Sequence, residues 1–262
     1  MSEINAAEPP RAAKTYRVRP SVGAGFVVYF GYLAIFFTTW AVNDVDYEHI
    51  GDTVESAKLH YALPTLFGCA FVVIAVTVMG WWRPALFDDE GSGPRWAWIA
   101  PITMLLLSLS SFAFLGDDNR TASLVVWCVL GAIGVGFGEE MITRGTLLVG
   151  LRSRFPEEKV WLYSTLAFSA LHVPNIFFGL TVFPGLPFQM LNTFVFGSAL
   201  WATRRLSRTL LLPMFIHGLW DSSIFLPRAT GSDGNPLQLL FIPIGIIAVI
   251  AVVRRNKGLR LG

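Results

Sequence analysis

Apolar residues in this chain come in long, nearly unbroken runs separated by short polar junctions. They do not show the two-residue alternation of half-buried strands or the single apolar stripe of surface helices. Runs near 20 residues match the thickness of a bilayer's hydrocarbon core. They predict about eight membrane spans, near 22–42, 60–82, 96–115, 122–150, 160–179, 183–203, 209–226 and 236–253. The fifth is the weakest, because Pro174 and Asn175 interrupt it and favour an early end or a re-entrant segment. Backbone facing lipid must satisfy its hydrogen bonds internally, so the predicted class is an all-α polytopic membrane protein. Residues 1–20 read as a polar tail and residues 21–262 as a single transmembrane helical domain, with no internal repeat.

Composition supports that picture. Hydrophobic residues make up 53% of the chain and charged residues only 15%, with mean hydropathy +0.55. A soluble domain carries about 25% charged residues, more than this chain has to cover a wetted surface. The charges are also unevenly placed. With the amino terminus inside, sixteen Lys and Arg fall in cytoplasmic segments and three (Lys58, Arg120, Arg228) fall outside. That bias sets both termini in the cytoplasm of an integral multi-pass protein, expected in the cell membrane. The net charge of +2 hides this asymmetry, and no basic patch interleaved with aromatics points to nucleic acid. Residues 1–20 lack the apolar core and cleavage site of a signal peptide, so the first span is expected to act as an uncleaved anchor. The acidic stretch 43–59 reads as a solvated loop, and Trp81, Trp82, Trp96, Trp98, Trp161 and Tyr163 read as interfacial anchors. Cys69 and Cys128 fall inside spans and offer neither a structural disulfide nor a zinc spacing.

Candidate chemistry lies where lipid should exclude it. Glu139, Glu140 and Arg144 interrupt the apolar run 124–149, and ionisable residues in a span usually face the bundle interior and mark a working site. Glu140 and Arg144 are four apart on one helical face and can pair. Glu139 is rotated about 100° away, which leaves it the free acid. His172 sits in the fifth span, and His217 and Asp221 share a face of the seventh, where Asp221 could orient or charge the imidazole. At 1.5 Å per residue, Glu139, His172 and His217 lie about 18, 18 and 12 Å from the cytoplasmic span ends, consistent with one site.

Glu139-Glu140-x-x-x-Arg144, Phe168-x-x-x-His172 and His217-x-x-x-Asp221 together resemble the three motifs of the CPBP intramembrane proteases. That family includes the type II CAAX prenyl endopeptidases and bacteriocin-processing or immunity proteins. The resemblance covers roughly the second half of the chain. It implies an eight-helix fold with a catalytic cavity open to the cytoplasm, and a glutamate-dependent hydrolysis of a peptide or membrane-tethered protein. By position, Glu139 would be the general base on a water, helped by His172. His217 and Asp221 would stabilise the oxyanion, and Glu140 with Arg144 would brace the site. The family pattern often has Asn where this chain has Asp221, and an ionised Asp has no proton to donate. Asp221 is therefore either protonated or serves to orient His217.

A metal is the further option. Glu139, His172, His217 and Asp221 are acceptable zinc ligands by type, although no His-Glu-x-x-His helix is present. Two other functions compete: a non-enzymatic immunity or scaffold protein with the same fold, and a proton-coupled transporter, which the lack of related halves disfavours.

Overall fold

The computed structural model describes residues 16–118 and 120–261, so most of the predicted tail, residues 1–15, lies outside the described residues. Eight long helical segments appear among them: α1 Val22–Val42, α2 Val54–Met79, α3 Arg95–Phe114, α4 Ala122–Arg152, α5 Glu157–Ala170, α6 Gly185–Ser207, α7 Leu211–Ala229 and α8 Pro236–Asn256. The described residues form no strand beyond one isolated bridge between Phe87 and Thr209. Five segments (α1, α2, α3, α4 and α8) are long and apolar enough to cross a membrane, and the protein is an integral multi-pass membrane protein. The other three are α5, which ends two residues before His172, then α6, and α7, which carries His217 and Asp221.

Boundaries follow local chemistry. Ser21 caps α1 by accepting from the Ala24 amide, and Thr121 caps α4 by accepting from Leu124. Helix α5 stops at Ala170, four residues before Pro174, which disfavours helical backbone in the residue ahead of it. At 14 residues α5 is about 21 Å long, short of the ~30 Å core. The early end expected from the sequence is thus present, and backbone 171–184 continues without regular α-helix alongside the first turns of α6.

The central contact is between α4 and α7. It is made close by glycine: a Cβ on Gly136 would lie 2.8 Å from the Gly218 amide nitrogen, and one on Gly218 would lie 2.9 Å from the Ala132 carbonyl. Without a hydrophobic drive between helices in lipid, such close backbone packing is what brings them together.

One end of the bundle is tied by charge. Asp88 accepts from Arg152 at 2.7 Å, Arg204 at 2.8 Å and Arg205 at 2.6 Å, and Arg152 also donates to Glu157 at 2.7 Å. This cluster joins the loop after α2 to the facing ends of α4, α5 and α6, and Arg205 reaches Asn256 of α8 at 3.0 Å. We call this end the arginine face. Trp81 belongs to it as a wholly buried residue donating to the Val18 carbonyl, so it is a core residue and not the interfacial anchor its position suggested. At the opposite end, stretch 43–59 is less solvated than expected. Val45 and Ile50 are buried, Tyr47 accepts from Gln189, and α2 begins at Val54.

Burial alone would raise the Asp88 carboxyl, but Arg204, Arg152 and Arg205 hold it well below the usual carboxylate range. A depressed pKa stabilises the fold above the unfolded value of ~3.9, and this contribution is lost as pH falls below it. Thermal unfolding in detergent should therefore weaken below about pH 4. Asp88→Asn should flatten part of that acid limb and destabilise the neutral protein by about 3–5 kcal/mol, since three guanidiniums lose a buried partner.

Candidate active site

Glu139 and Glu140 end the regular part of α4, and from Met141 to Leu147 the helix widens into π-turns. Such turns are rare and occur frequently at functional sites. Glu140 is fully buried, and its Oε1 accepts from Arg144 Nη1 at 2.8 Å and from His217 Nδ1 at 3.0 Å. The carboxylate can only accept, so Nδ1 carries the proton and Nε2 is the remaining ring nitrogen. The Arg144 guanidinium stacks on the Phe168 ring, its carbon 3.8 Å from the centroid. Gly197 of α6 leaves the space for this stack, because a Cβ there would collide with Arg144 Nη2 and the Phe168 ring. On its other side, the Arg144 carbonyl accepts from Arg204 of the arginine face.

Glu139 is placed differently. It lines a cavity of about 340 Å³, and its Oε2 is buried with no hydrogen-bond partner. His217 Nε2 lies 4.0 Å from that oxygen and 3.9 Å from Asp221 Oδ1. Tyr61 donates to Asp221 Oδ2 at 3.5 Å. His172, just past the end of α5, donates from Nδ1 to the Phe168 carbonyl at 3.0 Å. Phe168 stands edge-on to both imidazoles, with centroids 5.5 Å from His172 and 5.6 Å from His217. Glu139, His172, His217 and Asp221, drawn from three segments, all line the one cavity.

A model of the family described as Rce1-like, type II CAAX prenyl endopeptidase Rce1-like, matches residues 121–223. Over those residues the chain is similar to the CPBP family, in keeping with the three motifs. No curated protein sequence matches the chain. The CPBP match indicates a membrane endopeptidase of the CAAX type, which acts on a peptide or protein embedded in a membrane.

Two features of this site depart from the sequence expectations. Glu140, not Asp221, makes the hydrogen bond that orients His217, a partnership across 77 residues that no local spacing reveals. Tyr61 joins the site from α2, where its position in an apolar run gave no signal. His217 stands about 4 Å from both carboxylates, and among the described residues no group of three His, Cys, Asp or Glu side chains is arranged to hold an ion.

The cavity has a direction relative to the arginine face. From Glu139 it runs past His172, Asn175 and Asn192 to Tyr47, Ile50 and Gln238, residues of the end opposite the arginine face.

The asymmetry between the two acids is measurable. Glu140→Gln should destabilise the protein by about 3–5 kcal/mol, because Arg144 stays buried without its counter-charge. Glu139→Gln should leave the unfolding midpoint close to wild type, since Glu139 has no hydrogen-bonded partner to lose. Thermal unfolding of the two variants in one detergent reads the difference.

Proposed function

We propose that the protein hydrolyses a peptide bond of a membrane-embedded substrate using a water activated by Glu139. The observation that carries this reading is the unpartnered Glu139 Oε2, buried at the cavity wall 4.0 Å from His217 Nε2. A carboxylate withdrawn from water and accepting no hydrogen bond is suited to general-base work. Its neighbour Glu140 is already committed to Arg144 and His217.

In this mechanism water adds to the scissile carbonyl carbon while Glu139 takes its proton. The imidazolium form of His217 donates from Nε2 to the developing oxyanion. Asp221, on the same side of the ring, supports that positive charge, so it need not donate a proton itself. His172 has Nδ1 engaged by a carbonyl, which leaves Nε2 as an acceptor for the second water proton. Collapse of the tetrahedral intermediate breaks the carbon–nitrogen bond, and the proton held by Glu139 passes to the departing amine. Glu140 and Arg144 fix the ring that does the stabilising. All residues involved belong to the segment 21–262, read as one transmembrane domain.

General bases typically contribute about 10²–10⁴-fold, and a single oxyanion donor about 10²–10³-fold. Glu139→Gln should lower peptide cleavage by at least about 10²-fold while the protein still accumulates in membranes, and His217→Ala should cost a comparable factor. Cleavage of a peptide library by purified wild type and variants, with and without chelator, tests this. Wild-type rates from Glu139→Gln would overturn the mechanism. A complementation assay in which Glu139→Gln and His172→Ala remain fully functional would instead favour the non-enzymatic reading.

A further inference from the structure

We propose that the catalytic cavity opens to the non-cytoplasmic side of the membrane, so that the scissile bond is presented from that face. The inference rests on reading this cavity as the substrate site, and three independent observations lead to it.

The first is where the cavity ends. Its lining residues beyond the depth of Glu139 belong to the end formed by loop 43–53, backbone 171–184 and the start of α8. Polar groups at that end (Tyr47, Asn175, Gln189, Asn192, Gln238) give a hydrated route to the catalytic residues. Early termination of α5 leaves irregular backbone at membrane depth, which is tolerated where it lines a water-filled cavity.

The second is closure toward the other end. Between Glu139 and the arginine face lie Met141, Ile142, Arg144, Leu147 and Leu148, all with no exposure. Beneath them Arg204 bridges the Arg144 carbonyl to Asp88. No lining residue of the cavity comes from the Asp88 cluster.

The third is charge. Among the described residues the arginine face gathers fourteen Lys and Arg, whereas the cavity end has only Lys58, Arg120 and Arg228. Acidic residues dominate the cavity end, with Asp44, Asp46, Glu48, Asp52, Glu55, Asp117, Asp118 and Asp233. Lys and Arg in short loops are retained in the cytoplasm, which assigns the arginine face to that side and the cavity mouth to the other.

The test is cysteine accessibility in a background lacking Cys69 and Cys128. Asn192→Cys places a thiol on the cavity wall, and Lys159→Cys places one on the exposed arginine face. In intact spheroplasts a membrane-impermeant maleimide is expected to label Asn192→Cys fully, and Lys159→Cys only after permeabilisation. The reverse pattern would overturn the proposal, as would an Asn192→Cys that labels only after permeabilisation or not at all. Labelling reads sidedness without requiring turnover. A failure here is therefore distinct from a failure of the hydrolytic mechanism, which the Glu139→Gln cleavage assay reads separately.

Discussion

Glu140, locked between Arg144 and His217 with no exposure to solvent, is the constraint on which the site depends. A buried carboxylate with one cation and one imidazole is tolerable in an apolar bundle only if all three stay paired. The arrangement holds the His217 ring in one tautomer and turns Nε2 toward the cavity. It also leaves the adjacent Glu139, about 100° around the helix, without a structural task. Two neighbouring acids thus acquire opposite duties from their position on one helix.

That arrangement needs α4, α6 and α7 to come unusually close. Gly136 and Gly218 let α4 and α7 touch backbone to backbone, and Gly197 admits the Arg144–Phe168 stack from α6. The widened turns from Met141 to Leu147 place the Arg144 carbonyl where Arg204 can reach it. Arg204 in turn holds Asp88, so the catalytic layer and the charged layer below it share a hydrogen-bonded residue. Side chains buried at the arginine face are therefore part of the scaffold of the site.

Much of this was legible in the sequence because lipid makes polarity conspicuous. An acid or an imidazole inside an apolar run stands out, and Glu139, Glu140, His172, His217 and Asp221 were visible for that reason. The i,i+4 pairing of Glu140 with Arg144 was equally readable, since helical geometry alone fixes it. Contacts between helices were not. The Glu140–His217 hydrogen bond and the Tyr61 hydroxyl at Asp221 depend on packing angles that periodicity does not encode. The arginine face was read correctly as one charged end, but not as a buried network. The cavity's direction was not legible, because depth along a span carries no information about which end is open.

The shortness of α5 has a consequence for anyone counting crossings. A hydropathy scan registers five segments in this chain and passes over α5, α6 and α7, whose polar residues dilute the signal. Five is an odd number and would send the two extremities of the polypeptide to opposite compartments. Yet Val18, through Trp81, and Asn256, through Arg205, meet the same charged layer. One of the helices a scan misses, α7, carries His217 and Asp221, and parity is the arithmetic by which such an omission betrays itself.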